Sequence, residues 1–286
     1  MLKQTITAPA KVNLNLCITG KRADGYHLLE SDVFFTEFGD ELVFQPAPID
    51  GFNITGPYAG DLSANVSDNL CCKAVQAFRS SGGKIGAINI TLKKHIPVGA
   101  GLGGGSADAA ATLRYLNHHA DTPIDRVCLA EVAAQLGADV PVCLLSTSHH
   151  MSGIGETLTA LDWPSSDRKS TYIVLANPGI SLSTAAVFSA LTDDQWSTPA
   201  ALQTDQPMTA TAYVNIGNNL TQTAVNLVPE ISNLLTELRQ QADVQHVAMS
   251  GSGASCFGIF PNKLTCLAAA ENMRACGYWA VASKII

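Results

Sequence analysis

Short runs of alternating apolar and polar side chains dominate the opening of the chain: Thr5-Ile6-Thr7, Val12-Asn13-Leu14-Asn15-Leu16, Val33-Phe34-Phe35, Leu42-Val43-Phe44 and Phe52-Asn53-Ile54-Thr55. A period of two is the strand period, and Gly39-Asp40 and Asp50-Gly51 read as turns, so the pattern predicts a β meander. The periodicity then changes. Ser67, as N-cap, opens a helix that runs through Ala74, Ala77 and Phe78 and stops at Gly82-Gly83. A strand over 87–92 leads through Pro97 into Gly99-Ala100-Gly101-Leu102-Gly103-Gly104-Gly105-Ser106, and the alanine-rich 107–116 has strong helix propensity. Thr122-Pro123 starts another helix that ends at Gly137.

The pattern resets across Asp162-Trp163-Pro164-Ser165-Ser166-Asp167, which divides the chain into an N-terminal domain, 1–162, and a C-terminal domain, 163–286. Beyond it the predicted strands are 172–176, 244–249, 256–260 and 279–283, and the predicted helices 184–191, 229–240 and 264–276. Allowing one extra helix, the order is β-α-β-β-α-β, the split βαβ unit of a ferredoxin-like α+β sandwich. The fold class is therefore α+β, with a mixed α/β first domain.

Composition narrows the function. Hydrophobic residues make up 47% of the 286 and charged residues 14%, enough apolar material for a core. The net charge is −7, and the densest basic spots are Lys93-Lys94-His95 and Lys21-Arg22, which argues against nucleic acid or an anionic membrane as partner. No apolar run approaches the ~18 residues of a spanning helix, and the opening lacks the apolar stretch of a secretory signal, so a cytoplasmic location is expected. The eight cysteines form no CxxC pair and sit mostly in apolar surroundings, which predicts buried reduced thiols. The seven histidines show no metal-ligand spacing; His118-His119 and His149-His150 are adjacent pairs that diverge on any regular element, and no structural metal is expected.

The candidate chemistry lies in the glycine loop, where five of the seven residues from 99 to 105 are glycine. Such a run lets the backbone approach an anion closely and leaves N–H groups free at a positive helix end, so phosphate is its natural guest. No lysine precedes Ser106, which excludes the P-loop of NTPases. Gly99, Gly101 and Gly104 formally satisfy GxGxxG, yet two helices follow where a dinucleotide fold needs a βαβ succession. The GxSxG elbow of serine hydrolases is absent.

Three motifs together carry a resemblance. The loop from Pro97 to Ala110 resembles the phosphate loop of the GHMP kinases, Pro9-Ala10-Lys11-Val12-Asn13-Leu14-Asn15-Leu16 resembles their N-terminal motif, and Met249-Ser250-Gly251-Ser252-Gly253-Ala254-Ser255 resembles their C-terminal glycine motif. Lys21-Arg22-Ala23-Asp24-Gly25-Tyr26-His27, the run GLGGGSADAA and Leu136-Gly137-Ala138-Asp139-Val140-Pro141 are similar to the branch whose substrate is a cytidine diphosphate methylerythritol. The resemblance implies a two-domain GHMP kinase fold, with a ribosomal protein S5 domain 2-like first domain. It implies an ATP-dependent kinase of isoprenoid precursor synthesis that transfers phosphate to the 2-hydroxyl of that substrate. The partners are then a small molecule and ATP, with Mg²⁺ carried on ATP, and the protein is expected as a monomer or weak homodimer.

The same resemblance distributes roles. Asp139, in an uncharged run, becomes the base that takes the hydroxyl proton; a capping or salt-bridged aspartate is the bland alternative. Lys11, a single cation on a strand, stabilises the phosphoryl charge and keeps Asp139 ionised. Pro97, Gly99, Gly101, Gly103, Gly104, Gly105 and Ser106 bind ATP phosphate, with Ser106 at the helix start. Lys11, Asn13 and Asn15 share a strand face, and Asn13 is the better substrate contact. Tyr26 and His27 hold the cytosine; where the family carries a second aromatic a little downstream this chain has Val33, beside Phe34, a departure that leaves a two-sided aromatic clamp from this segment open. Thr184 and Phe188 are either substrate-side residues or an N-cap and a core Phe, and Gly251 and Ser252 are either a second backbone lip or a plain hairpin turn. Positive potential is expected from helix N-termini, Lys11 and Lys93 or Lys94. A kinase for mevalonate or homoserine would carry no cytidine element, and a non-catalytic nucleotide sensor on this fold could dispense with Lys11 or Asp139; this chain has all of them.

Overall fold

In a computed structural model, which describes residues 3–62, 66–164, 171–192, 196 and 209–286, the chain forms two compact units. One comprises Met1–Ala10, Gly39–Val98 and Gly103–Ser146, the other Lys11–Phe38, Gly99–Leu102 and Thr147–Ile286. Strands β1 (Gln4–Asn13) and β3 (His27–Pro46) contribute to both. Ser165, Ser166 and Asp167 of the polar stretch lie outside the described residues.

In the first unit the end of β3 pairs antiparallel with β5 (Ile88–Lys93), setting Leu42 opposite Leu92 and Phe44 opposite Ile90, and β4 (Gly51–Thr55) adds parallel to β5. Four helices pack on one another: α1 (Leu70–Ser80), α2 (Gly104–His119), α3 (Arg126–Leu136) and α4 (Val140–Leu145). The buried side chains of α2 include Ala107, Ala109, Ala110 and Ala111, small enough for close helix approach, and Tyr115 stacks on Phe44 of the sheet with ring centroids 4.0 Å apart. Asn69 caps α1 and Asp125 caps α3, each through a side-chain oxygen that accepts a first-turn N–H at 2.9 Å.

Three sequence expectations fail here. Gly39-Asp40 is no turn but the middle of the twenty-residue β3. Gly39 is required there by close approach, since a Cβ would meet Ala8 O at 2.0 Å, and Asp40 is buried because it holds Lys94. The α1 cap is Asn69, two residues past Ser67, and α3 starts at Arg126, beyond Thr122-Pro123.

In the second unit β2 (Cys17–Lys21) forms a hairpin with the start of β3, β6 (His149–Ser152) pairs with Ser31–Val33, and β7 (Thr157–Ala160) pairs with β6. A separate sheet holds β8 (Tyr172–Asn177), β9 (His246–Met249), β10 (Cys256–Phe260) and β11 (Trp279–Lys284) in the antiparallel order β11-β8-β10-β9, the ferredoxin-like arrangement. Helices α5 (Thr184–Ala190), α6 (Ala210–Asn215), α7 (Thr221–Leu227), α8 (Glu230–Arg239) and α9 (Lys263–Ala275) complete the unit. Ile231, Leu234, Leu235 and Leu238 repeat at helical spacing on α8 and enter one core with Cys266, Ala269, Ala270 and Met273 of α9. The short α4, α6 and α7 and the four-residue β6 and β7 go beyond what the pattern predicted, because six- or seven-residue helices and isolated four-residue strands carry too few repeats of either period. All eight cysteines are free thiols, five of them buried.

Candidate active site

Segments far apart in sequence interlock in the second unit. Lys11 N donates to Leu102 O at 2.9 Å, which ties β1 to the glycine loop, and Ser255 N donates to Ala100 O at 3.1 Å. The Ser250 hydroxyl donates to Gly101 O at 3.1 Å and accepts from Asn13 N at 3.2 Å, so one side chain joins the turn after β9 to both β1 and the loop. Gly101, at φ +72°, has no room for a Cβ: one would sit 2.5 Å from Gly253 O and 2.8 Å from Ser250 O. The N-terminal motif, the loop and the C-terminal glycine motif therefore form one backbone assembly.

Lys11, Asn13 and Asn15 are all buried. Asn15 is wholly structural: its Nδ2 donates to Asp32 Oδ2 at 2.6 Å and to Tyr213 O at 3.1 Å, and its Oδ1 accepts from Asp32 N at 2.9 Å. Asn13 Nδ2 donates to Ser31 Oγ at 2.7 Å. Asp32 Oδ1 in turn contacts His150 Nδ1 at 2.8 Å, and that hydrogen bond raises the imidazole pKa against the opposing effect of burial, with the Asp32 and Glu30 charges adding to the rise.

Tyr26 is exposed and ends a turn in which its O accepts from Arg22 N and Gly25 takes φ +92°. The His27 ring meets Phe188 at 5.4 Å, tilted by 39°, and Trp196 edge-on at 6.5 Å. The aromatic company of His27 thus comes from α5 and from Trp196. Val33 is buried, and Phe34 is buried with its ring against Trp163 and Tyr213 at 5.0 and 5.4 Å, so this segment completes no aromatic clamp. Thr184 Oγ1 lies 2.8 Å from Ser252 Oγ, which brings two candidate substrate residues together, while the N-cap of α5 is Ser183. The turn holding Gly251 and Ser252 is fastened by Asn218, whose Nδ2 donates to Met249 O at 2.9 Å and Gly251 O at 2.8 Å.

In the first unit α2 begins at Gly104 with Gly103 as its N-cap at φ +64° and no side-chain cap, so Ser106 stands third in the helix and not at its cap. The first turn contains no acidic residue, and its N–H groups meet no capping side chain, the condition for anion binding at a positive helix end. Gly99 has φ +67° and Gly105 is exposed. Pro97 follows Ile96, whose N donates to Asp40 Oδ1 at 2.9 Å, and His95 N donates to the same oxygen at 2.5 Å. Asp139 is half-buried at the start of α4 and does not cap it.

Beneath the start of α2 lies a buried charge cluster. Lys94 Nζ bonds Asp40 Oδ2 and, at 2.8 Å, Asp108 Oδ2, and a Cβ on Gly104 would come within 2.9 Å of that ammonium. Burial would lower the Lys94 pKa, but Asp108 and Asp40 outweigh it and hold it above the usual value. Burial and the neighbouring Asp40 push Asp108 up to about 7 against the pull of Lys94. Lys94 is thus balanced by two carboxylates and Lys93 pairs with Glu41 at 2.9 Å, so the positive potential expected from these lysines is cancelled locally. Ser31, Asp40, Asn218 and Ser250 escape sequence reasoning: each is an ordinary polar residue whose partners lie at least 16 positions away or depend on a fold not yet known.

Known proteins match along the whole chain. The model of the GHMP kinases N terminal domain matches residues 69–147, and that of the GHMP kinases C terminal domain matches 206–278. A 4-diphosphocytidyl-2-C-methyl-D-erythritol kinase of Cereibacter sphaeroides is 41% identical over 95% of each chain, and one of Agrobacterium fabrum 43% identical over 88% of this chain and 86% of its own. The crystal structure of a 4-(cytidine 5'-diphospho)-2C-methyl-D-erythritol kinase superposes with a TM-score of 0.80 at 32% identity over 99% of both chains. A homoserine kinase from Cytophaga hutchinsonii shares the fold at 18% identity with a TM-score of 0.72. The backbone assembly of three glycine and lysine motifs, the ferredoxin-like sheet and these relatives agree: the chain belongs to the 4-diphosphocytidyl-2-C-methyl-D-erythritol kinase family of GHMP kinases.

Proposed function

We propose that the protein transfers the γ-phosphoryl group of ATP to the 2-hydroxyl of 4-diphosphocytidyl-2-C-methyl-D-erythritol, releasing ADP and the 2-phosphate, as a cytoplasmic enzyme of the non-mevalonate route to isoprenoid precursors. One observation carries this reading: β1, the glycine loop and the turn of residues 250–255 interlock through Lys11, Leu102, Ser250 and Gly101, and glycine is required where they touch.

Phosphoryl transfer asks for positioning, charge neutralisation and a proton acceptor. Asp139 accepts the hydroxyl proton as oxygen attacks phosphorus, and Lys11 balances charge on the transferring group. Pro97, Gly99, Gly101, Gly103, Gly104, Gly105 and Ser106 hold the triphosphate, with the uncapped N–H groups of α2 as donors. Asn13, Thr184, Gly251 and Ser252 orient the sugar alcohol end, and Tyr26, His27 and Phe188 the cytosine. Mg²⁺ would arrive on ATP and keep several of its own waters, with the Ser106 hydroxyl as the protein's candidate ligand. The bound ion would neutralise charge on the triphosphate. The domain division 1–162 and 163–286 has support from the two family models, which fall on either side of it.

The test is coupled ADP release by purified protein offered the cytidine diphosphate methylerythritol, mevalonate and homoserine in parallel. Turnover of the first alone is expected; turnover of only the other two refutes the assignment.

A further inference from the structure

The carboxamide of Asn13 has a fixed orientation. A serine hydroxyl carries one proton, and Ser31 Oγ spends it on Asn15 O at 2.6 Å. What Ser31 then offers to the Asn13 side chain, 2.7 Å away, is a lone pair, so the NH₂ end of Asn13 must face Ser31. Oδ1 is turned the other way. It is buried and has no hydrogen-bond partner among the described residues, and across from it stands Gly251, where a Cβ would come within 3.2 Å. The backbone of the same residue is held by Ser250 Oγ, so Asn13 is clamped at main chain and side chain alike while one acceptor is left unmet. A buried acceptor kept unsatisfied in an otherwise saturated network marks the place of a ligand donor.

We propose that Ser31 is a positioning residue for substrate recognition: it orients Asn13 so that Oδ1, and not the NH₂ group, faces the Gly251 turn as the acceptor for a hydroxyl donor of the sugar alcohol. This rests on the reading of Asn13 as a substrate contact and adds the residue that sets its polarity. Asn15, saturated by Asp32 and Tyr213, supplies the carbonyl that fixes the Ser31 proton.

The test compares Ser31→Ala, Ser31→Thr, Asn13→Ala and the double variant Ser31→Ala/Asn13→Ala by steady-state kinetics with each substrate varied. Ser31→Ala should raise KM for the cytidine substrate about tenfold, the scale of a lost hydrogen bond to a buried group, with KM for ATP unchanged. Ser31→Thr, which keeps the hydroxyl, should restore it. The double variant should be no worse than Asn13→Ala alone, because Ser31 acts through Asn13. Additive losses, or an unchanged substrate KM in Ser31→Ala, overturn the proposal while leaving Asn13 as a contact. Full activity in Asn13→Ala overturns the proposal together with the reading beneath it. Should Ser31→Ala not fold, Ser31→Cys keeps the volume while weakening both hydrogen bonds, and an unchanged substrate KM there is equally fatal.

Discussion

Asp139 and Gly101 illustrate two ways in which one residue carries function. Asp139 is half-buried and occupies the N-cap position of α4 without a side-chain hydrogen bond to the helix, so the helix start does not depend on its carboxylate as a cap. Asp139→Asn should therefore leave ATP affinity by calorimetry near wild type while lowering kcat by about 10²–10⁴, the usual contribution of a general base. A near-normal kcat would remove Asp139 from the chemistry. Gly101 acts by absence. Alanine there would adopt a strained positive φ and drive its methyl into Gly253 O and Ser250 O, so the turn must shift away from the loop. Gly101→Ala is expected to lower kcat/KM at least about tenfold and to lower the melting temperature, because a displaced anchor misplaces the reacting groups.

At the scale of an element, α2 is the informative case. Its sequence is alanine-rich and intrinsically helical, yet it begins without a capping side chain, and what lies under its first turn is a lysine held by two aspartates. The arrangement supports the helix start from below, and no N-cap side chain closes off the first-turn N–H groups above. Removing the cation exposes what it does. Lys94→Met leaves Asp40 and Asp108 buried and adjacent, an uncompensated charge that should cost about 3–5 kcal/mol in urea unfolding at pH 8, with a smaller loss at pH 5.5, where Asp108 can take up a proton. An equal loss at both pH values would mean that the two carboxylates do not share charge as described.

At the scale of the molecule, two titrations, of buried Asp108 and half-buried His150, push stability the same way. Asp108 ionises near 4 in the unfolded chain and at about 7 in the fold, so between these values the native state binds more protons and stability falls as pH rises. His150, raised by Asp32, contributes stability that is present below its unfolded pKa and lost as pH rises through the higher folded value. The midpoint of urea unfolding should therefore fall from pH 6 to pH 8.5, with Asp108 contributing a slope of at most about 1.4 kcal/mol per pH unit below pH 7. Asp108→Asn should flatten the lower part of that profile and His150→Gln the upper part; a midpoint that rises with pH would contradict both assignments.

The sequence by itself determined the kind of molecule and most of the parts. Cys256–Phe260 matched its predicted strand residue for residue, and α8, α9, β8 and β11 lay within two residues of theirs, because long runs of one period and Gly, Pro or Asn boundaries are local signals. The glycine loop was legible for the same reason, as five glycines in seven positions need no partner to be noticed. Tertiary structure alone decided why particular residues stand where they do. It turned Gly39-Asp40 from a turn into the middle of a strand, buried Val33 and Phe34, and gave His27 its aromatic neighbours from α5 and Trp196. It also made Asn15 structural while leaving Asn13 with an unmet acceptor, although the two share a strand face. Periodicity tells a side chain which way to point, but hydrogen bonds and ion pairs between distant segments decide what it meets, and those partners exist only once the chain has folded.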